Sequence, residues 1–271
     1  MMPTVVNKVL DDVLVEFIQG STDPLTVIGP SETVIEHLVE VGTSVDDAPT
    51  VRLLAAKSTL KDAIGDFIVA GRAADLVADG VLSVRTTDSP PGNDLIVSEE
   101  DVSALIVAGD SAGAVSTDDE AFVEHTRGFY DDVWADADEF SLRTPPLSQV
   151  RNTLGDDLSS DVEADFDAVL SSLETARGNG DGLDKVTISL LVAAKNKELL
   201  YDISKWGEDI GIASKATFSR TKTNLEELGL LDTEKVPIDV GRPRLRLKFG
   251  DDRLEDANAE ELASVAQSLI A

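Results

Sequence analysis

The distribution of charge along this chain is the feature that most constrains how it folds and what it contacts. Residues 183–250 contain twelve Lys and Arg against ten Asp and Glu, whereas the remaining sequence contains 11 against 42. The complete chain carries a formal charge of −29. Because duplex DNA presents a dense row of negative charge, a region without acidic excess is the part of such a chain that is suited to DNA.

The acidity of the remaining sequence indicates a solvated surface rather than disorder. A length of 271 residues with 42% hydrophobic content is sufficient for one or two folded domains. Carboxylates retain water and cations, so we expect a salt-rich cytoplasm such as that of haloarchaea, with an ordinary acidic protein as the alternative. The absence of cysteine excludes disulfides, thiolate nucleophiles and cysteine-based zinc sites. We find neither a secretory leader nor a membrane-spanning run and expect a cytoplasmic protein without a membrane partner.

Residues 1–146 alternate β-rich runs with segments of helical periodicity. The first helical pattern covers residues 5–19, and residues 118–140 are predicted as a long helix. The β-rich runs that alternate with helices are residues 25–28, 51–55 and 81–85, and those that read as antiparallel edge strands are 94–98 and 103–107. This alternation predicts an α/β amino-terminal domain with a mostly parallel sheet and helices, acting as a sensor or effector domain.

The second half of the chain is predicted to contain two parts. Residues 147–178 are interpreted as linker or dimerisation helices, and residues 179–271 as an α+β winged helix-turn-helix carboxy-terminal domain with a closing helix. The apolar residues Leu199, Ile203, Trp206 and Ile210 are spaced by four, three and four positions, which is the pattern of a buried helical face. Gly211 then suits the turn that precedes the next helix.

The helix after this turn has the sequence features of a DNA recognition helix. Ala216, Ser219, Arg220 and Thr223 fall on the face opposite Phe218, and residues 214–224 contain no acid. A recognition helix places its amino-terminal half against base edges while flanking lysines contact phosphates. The residues of this helix predicted to bind DNA are Ser214, Lys215, Ser219, Arg220, Lys222 and Thr223.

A cationic β-hairpin is predicted after the recognition helix. Arg244, Arg246 and Lys248 alternate with apolar residues, so one face of the strand is core and the other is cationic. Arg242 lies in a Gly-Arg-Pro tripeptide at the hairpin tip, where an arginine suits the minor groove. We therefore predict Arg242, Arg244 and Arg246 as DNA contacts. The alternatives are surface solvation by these cations and a winged helix that binds protein instead of DNA.

Residues 197–249 resemble archaeal winged-helix regulators. The resemblance is carried by Ser214-Lys-Ala-Thr-Phe-Ser-Arg220, Leu225-Glu-Glu-Leu-Gly-Leu-Leu231 and Gly241-Arg-Pro243. The whole chain resembles the haloarchaeal TbsP-like transcriptional regulators, which implies control of central carbon metabolism alongside the sugar-responsive TrmB regulators. The amino-terminal half is similar in layout to the phospholipase-D-like sensor domain of TrmB-type proteins. It lacks the His-x-Lys signature, so that resemblance implies no hydrolase activity.

The sequence offers one weak indication of an enzyme. Residues 109–113 match the G-x-S-x-G nucleophile pattern, but the residues that follow are β-rich instead of helical, so we interpret them as a hairpin turn. His37 and His125 have no fixed carboxylate spacing and predict no metal site. We predict no catalytic residue, metal or cofactor.

Binding of a small anion is better supported by the loops that follow two of the strands. Loops at the junction of a strand and a helix direct backbone N–H groups at an anion, although ordinary helix capping explains the same residues. The candidate effector-binding residues are Gly29, Ser31, Lys57, Ser58, Thr59 and Arg85. A sugar phosphate or a similar metabolite is the ligand class that we expect.

The sequence is therefore interpreted as a homodimeric, metabolite-responsive transcriptional regulator that binds double-stranded promoter DNA. Two-fold symmetry would let two recognition helices reach half-sites one helical turn apart. A metabolic enzyme with an appended winged helix and a protein-interaction scaffold are the two alternatives from other functional classes.

Overall fold

The computed structural model describes residues 5–21, 23–109, 111–173, 175–177, 183–237 and 243–270. The chain divides into two compact units, and each is described by itself. The first unit comprises Met1–Gly65 and Arg72–Leu142, and the second comprises Asp66–Gly71 and Arg143–Ala271.

The first unit contains one mixed sheet. Its strands are β1 (Val5–Lys8), β2 (Leu25–Ile28), β3 (Val51–Ala55), β4 (Leu82–Thr86), β5 (Asp94–Val97), β6 (Val102–Ala108), β7 (Ser111–Thr117) and β8 (Asp138–Glu139). Its helices are α1 (Leu10–Gly20), α2 (Glu32–Ser44), α3 (Lys57–Ala63), most of α4 (Phe67–Ala78) and α5 (Glu120–Asp136). The strand order in the sheet is β1-β7-β6-β5-β2-β3-β4-β8.

The α/β class of the first unit agrees with the sequence pattern, and its parallel part is confined to three strands. β2 pairs with β3 and β3 with β4 in parallel, and α2, α3 and α4 lie between these strands in sequence. The other five pairings are antiparallel. The parallel arrangement that the sequence predicts therefore holds for β2, β3 and β4. The short turns that join β5, β6 and β7 permit only antiparallel pairing, and β1 and β8 add antiparallel strands at the two edges of the sheet.

The expected helix over residues 5–19 is wrong at its start. Residues 5–8 form β1, which pairs antiparallel with β7 at the edge of the sheet, and α1 begins only at Leu10. Helical periodicity did not reveal this because edge pairing depends on β7, which lies about a hundred residues further along the chain.

Helices cover both faces of the sheet in the first unit. Val123, Tyr130 and Trp134 of α5 pack on the face that presents Ile28 and Leu54. The opposite face meets α1 and α2, where Ile18 and Leu38 line a small apolar cavity with Val51 and Leu82. The apolar residues on both faces of β2 and β3 are explained by this two-sided coverage.

The second unit is mainly helical. It contains residues 66–71, which include the start of α4, followed by α6 (Leu147–Asp157), α7 (Ser160–Ser171), α8 (Lys185–Lys195), α9 (Leu200–Asp209), α10 (Lys215–Glu227), β9 (Leu231–Val236), β10 (Arg244–Phe249), α11 (Asp252–Asp256) and α12 (Ala259–Ile270). α6 and α7 share one apolar core with α8, α9, α10 and α12. They are therefore packed elements of this unit instead of a separate linker.

A buried carboxylate stabilises the connection of residues 66–71 to this core. Asp66 is 3% exposed and accepts hydrogen bonds from the backbone N–H groups of Ile68, Val69 and Ala176 and from the Thr175 hydroxyl. The Phe67 ring packs edge-on against Phe166, with the ring centroids 6.5 Å apart. A buried carboxylate with this many donors is compensated for its loss of hydration.

Within the described part of the chain, no helix is long and apolar enough to cross a membrane.

Candidate nucleic-acid interface

Three helices and a β-hairpin form the winged helix-turn-helix of the second unit. Asp184 caps α8 by accepting from the Thr187 N–H, and Ser214 caps α10 by accepting from the Thr217 N–H. Gly211 in the turn has φ +84°, a conformation that favours glycine. β9 and β10 pair antiparallel, and a further bridge joins Leu199 to Arg246. The helices and the hairpin thus follow the order that the sequence predicted.

Close packing fixes α10 against α9. Phe218 of α10 is fully buried and lies over Gly207 of α9. A Cβ atom added to Gly207 would lie 2.3 Å from the Phe218 ring, so only glycine permits this approach. The buried ring determines which residues of α10 face solvent.

The solvent-facing side of α10 carries the residues predicted to meet the bases. Ala216, Ser219, Arg220 and Thr223 are exposed. The Thr223 hydroxyl donates to the Ser219 carbonyl oxygen at 3.0 Å. Among the described residues Arg220 makes no ion pair or hydrogen bond, so its guanidinium is free for a ligand. This surface offers hydroxyl groups and one arginine without an adjacent carboxylate.

Lys222 is a correction to the predicted interface. It is 9% exposed, and its Nζ lies 2.7 Å from Oε2 of Glu226 one turn along α10. The Glu226 carboxylate also accepts a hydrogen bond from the Thr233 hydroxyl at 3.2 Å. The prediction assumed that Lys222 flanks the exposed face, but Lys222 is buried, and its partner Glu226 is hydrogen-bonded to Thr233 of β9. Lys222 is therefore a structural ion pair instead of a phosphate contact.

Lys215 lies at the start of α10 and is paired with the preceding helix. Its Nζ is 2.7 Å from Oε2 of Glu208, and its backbone N–H donates to Oε1 of the same carboxylate. This hydrogen bond raises the pKa of Lys215 and lowers the pKa of Glu208, so both groups stay charged. Both side chains are about half exposed.

The cations of β10 are also paired with carboxylates. Arg246 contacts Glu234 at 2.8 Å and Lys248 contacts Asp232 at 2.8 Å, in both cases across the hairpin. The alternation of cationic and apolar residues in β10 is as predicted, with Leu247 buried beneath them. Arg242 at the hairpin tip lies outside the described residues.

Arg244 has a different environment from the other β10 cations. Its guanidinium lies 4.2 Å from the centroid of the Tyr201 ring on α9, and its Nη1 is 3.3 Å from Oδ1 of Asp202. Stacking on an aromatic ring orients a guanidinium without satisfying its remaining N–H donors. Arg244 is therefore held in place while some of its donors face solvent.

Sequence reasoning missed Tyr201 and Lys205 on α9. They are four residues apart and therefore lie on one helix face, where Tyr201 is 46% exposed and the Lys205 side chain 54%. Lys205 pairs with Asp209 at 2.7 Å. The four-residue spacing was a usable signal, but the stack of Arg244 on Tyr201 joins two elements distant in sequence. The pairing of Arg244 with Asp202 was missed for the same reason, whereas Lys205 and Asp209 are four residues apart on one helix.

The candidate effector-binding residues are partly brought together in the first unit. Gly29 follows β2 and has φ +61°, Lys57 and Ser58 begin α3 after β3, and Arg85 lies near the end of β4. Because β2, β3 and β4 are parallel, their carboxyl ends, where these residues lie, are on the same side of the sheet. Lys57 and Ser58 are exposed, and Thr59 is half-buried.

Two of these residues are already engaged. The Ser31 hydroxyl donates to the Asp94 carboxylate at 3.0 Å, which places negative charge where an anion would bind. Arg85 donates to the Trp134 carbonyl oxygen at 2.5 Å and stacks on the Trp134 ring at 5.0 Å. α3 has only seven residues, and no side chain caps its amino-terminal end. As a contact for a small anion, Lys57 is therefore favoured over Ser31 and Arg85, whose polar groups already have partners.

A polar groove of about 180 Å³ lies elsewhere in the first unit, between α5 and the sheet. Arg52 pairs with Asp131 at 2.9 Å, and Arg127 is 3.6 Å from Glu99, too far for a hydrogen bond. Burial raises the pKa of the Tyr130 phenol, which also lines the groove. The groove has donors for a small polar ligand, although its arginines are accompanied by carboxylates.

The G-x-S-x-G residues form a hairpin, as expected. Gly109 has φ +60° between β6 and β7, while the next residue, Asp110, lies outside the described residues. His37 pairs with Asp11 at 2.5 Å, and His125 is exposed on α5. In the part of the chain that the structure describes, no group of three His, Asp or Glu residues is arranged to hold a metal ion.

Comparison with known proteins identifies both halves of the chain. The family model described as "Transcriptional regulator TbsP-like, N-terminal" matches residues 2–145, and the one described as "Transcriptional regulator TbsP-like, C-terminal HTH domain" matches residues 146–267. Among curated proteins nothing matches the chain.

One similar solved structure is described as "Structure of TrmBL2, an archaeal chromatin protein, shows a novel mode of DNA binding". It is 13% identical, and the match covers 51% of this chain and 55% of that chain with a TM-score of 0.34. The present chain therefore spans about half of that protein, and a TM-score of this size carries no argument about fold.

Proposed function

The chain belongs to the TbsP-like family of transcriptional regulators, and from this membership we propose that it binds promoter DNA sequence-specifically through α10 and the β-hairpin. The observation that carries the proposal is the exposed side of α10. It presents Ser219, Arg220 and Thr223 with no adjacent carboxylate, in a chain of charge −29. An unpaired arginine beside hydroxyl groups matches the donors that read base edges in the major groove.

The remaining contacts are assigned by their position around this surface. Ser214 and Lys215 at the start of α10 and Arg244 and Arg246 on β10 would meet phosphates on either side of the groove. Arg242 is retained as a minor-groove contact on the sequence argument alone. Phosphates must compete with Glu208, Asp202 and Glu234 for these cations, so the contacts are formed by exchange of one anion for another.

A gel-shift assay against genomic promoter fragments tests the proposal. Arg220→Ala should reduce discrimination between promoter and unrelated DNA, because base contacts carry specificity. Arg244→Ala should weaken binding to both by a similar factor, because phosphate contacts carry none. Arg253→Ala, an exposed cation of α11, is the matched control. If the unmodified protein binds promoter and unrelated DNA equally, sequence-specific binding is refuted.

We also propose that the protein acts as a homodimer on two half-sites. The support is the two-fold symmetry of DNA operators, which a symmetric pair of recognition helices matches. The sequence argument assigns the dimer contact to α6 and α7, although both contribute to the core of the second unit. Sedimentation at high KCl measures the mass directly, and a monomer at micromolar concentration would exclude this proposal.

We infer that the first unit binds a small anionic metabolite that modulates DNA binding. Lys57 at the edge of the parallel strands supports a sugar-phosphate site, and the polar groove beside Arg127 supplies a second location for a polar ligand. Calorimetry with phosphorylated sugars at high KCl tests this, comparing Lys57→Met with Arg127→Met. Loss of heat in one variant assigns the site, and no heat with the unmodified protein removes the proposal.

The cellular setting is proposed from composition and family resemblance. We infer a salt-rich archaeal cytoplasm, a regulatory instead of catalytic role, and target genes in central carbon metabolism. The charge of −29 supports the first point because carboxylates keep a surface hydrated where salt would favour association. Genome-wide mapping of bound promoters in the source organism tests the last point, and promoters unrelated to carbon metabolism would exclude it.

A further inference from the structure

We propose that α9 supplies a second set of DNA contacts, in which Tyr201 and Lys205 act with Lys215 and Arg244 on the phosphate backbone. This inference rests on the proposed DNA binding and extends it to residues for which neither the sequence patterns nor the family resemblance gives a role. The backbone-contact cluster consists of Tyr201, Lys205, Lys215 and Arg244.

The cluster joins three elements on one side of the winged helix. Tyr201 and Lys205 lie four residues apart on α9, and Glu208, three residues further, continues the same face to Lys215 at the start of α10. Arg244 of β10 reaches the cluster by stacking on Tyr201 at 4.2 Å. The cationic groups therefore follow a path from the hairpin to the amino-terminal end of the recognition helix.

This path lies where a DNA backbone passes in a helix-turn-helix complex. The helix before the recognition helix crosses the backbone, and the amino-terminal end of the recognition helix enters the groove. The exposed Tyr201 side chain carries a phenol hydroxyl, which is a suitable donor for a phosphate oxygen.

The exposure of Tyr201 supports a ligand-facing role. Few large apolar side chains of the second unit are as exposed as this ring, at 46%. A stack that served stability alone would gain more from a buried ring, since burial of apolar area is the larger contribution. In the present arrangement the ring holds the Arg244 guanidinium at the surface. Tyr201 is therefore a positioning residue for Arg244 as well as a contact in its own right.

Each cation of the cluster is held by a carboxylate in the unbound protein. Asp202 holds Arg244 at 3.3 Å, Glu208 holds Lys215 at 2.7 Å, and Asp209 holds Lys205 at 2.7 Å. The three cations of the cluster and these three carboxylates together carry no net charge, so a phosphate reaches a cation by displacing its carboxylate. A phosphate that replaces a carboxylate releases counterions from DNA, while the released carboxylate takes up a cation from solution. These acids therefore lower the affinity and flatten its dependence on salt.

The experiment measures affinity for one promoter duplex as a function of KCl by fluorescence anisotropy. Tyr201→Leu and Lys205→Met should each weaken binding on promoter and unrelated DNA alike. Asp209 takes up a cation when Lys205 moves to a phosphate, and Tyr201 carries no charge, so neither substitution should change the slope of log affinity against log salt by as much as the roughly 0.9 expected for an unpaired cation. Lys61→Met in the first unit gives the same change of charge as Lys205→Met and should leave binding unaltered.

Neutralising the carboxylates should have the opposite effect. Asp202→Asn and Glu208→Gln should each bind more tightly and show a steeper salt slope, whereas Glu227→Gln at the exposed end of α10 should not. A gain in affinity also excludes misfolding as the cause. The outcomes separate the two proposals. If the unmodified protein binds no DNA, the proposed function fails. If it binds and these variants match their controls, the cluster is refuted while DNA binding stands.

Discussion

Lys222 and Arg220 lie two residues apart on α10, and their side chains are predicted to do different things. The side chain of Lys222 is 11% exposed and pairs with Glu226, whereas the exposed Arg220 makes no ion pair among the described residues. Replacing each by methionine removes one positive charge from the same helix while retaining an unbranched apolar stem. The two variants should separate a structural role from a DNA-binding role.

The magnitude for Lys222→Met follows from what the ammonium group leaves behind. Glu226 would retain one hydrogen bond, from Thr233, and the side chain of Glu226 is 28% exposed. Leaving a partly buried acceptor without its main donor costs about 1–3 kcal/mol of unfolding free energy. Arg220→Met should change the unfolding free energy by no more than about 0.5 kcal/mol, as is usual for surface substitutions.

Urea unfolding followed by circular dichroism measures the unfolding free energy, and fluorescence anisotropy with promoter DNA measures the affinity for DNA. Arg220→Met should weaken promoter binding by about 1–3 kcal/mol through loss of a base contact. Lys222→Met should bind normally at temperatures where it is folded. The double variant with Glu226→Gln should recover part of the lost stability, because it removes the unpaired carboxylate. Equal loss of DNA affinity in the two methionine variants, with unchanged stability, would refute the reasoning from burial.

Three further outcomes are expected. In anisotropy titrations, the slope of log affinity against log KCl concentration should be shallower than about 0.9 per phosphate contact, because released carboxylates take up cations. A slope as steep as that of a basic repressor would contradict this. Gly207→Ala should destabilise the second unit by about 1–3 kcal/mol in urea, because the added Cβ meets the Phe218 ring. Gly20→Ala, with nothing within 4 Å, is its control, and equal stability of the two variants would show that the helices move apart freely. Asp66→Ala should lower the unfolding free energy by about 2–4 kcal/mol, because three backbone N–H groups and a hydroxyl lose their acceptor. A loss below about 1 kcal/mol in urea unfolding would mean that water replaces the carboxylate.

Local periodicity explains why much of the winged helix could be predicted. The spacing of apolar residues from Leu199 to Ile210 fixed the buried face of α9, and a two-residue alternation fixed the two faces of β10. The acid-free side of α10 followed from the angle of 100° between successive helical residues. These patterns depend only on the direction in which a side chain leaves its own element.

The elements that were predicted incorrectly or incompletely depend on partners distant in sequence. Residues 5–8 form a strand because β7 is available at the sheet edge, and the antiparallel character of the sheet depends on which strands share an edge. The expected effector residue Ser31 is engaged by Asp94, sixty-three residues away. No periodicity within one element encodes such a partner.

The sequence by itself determined where the acidity of this chain is relieved, the order of helices and strands in the second unit, and the exposed side of α10. Only the tertiary structure decided that Lys222 is buried, that Tyr201 supports Arg244, and that Asp202 and Glu208 hold Arg244 and Lys215. The physical reason is that the orientation of a side chain is a local property, whereas its burial and its charge partner are set by whichever element packs beside it.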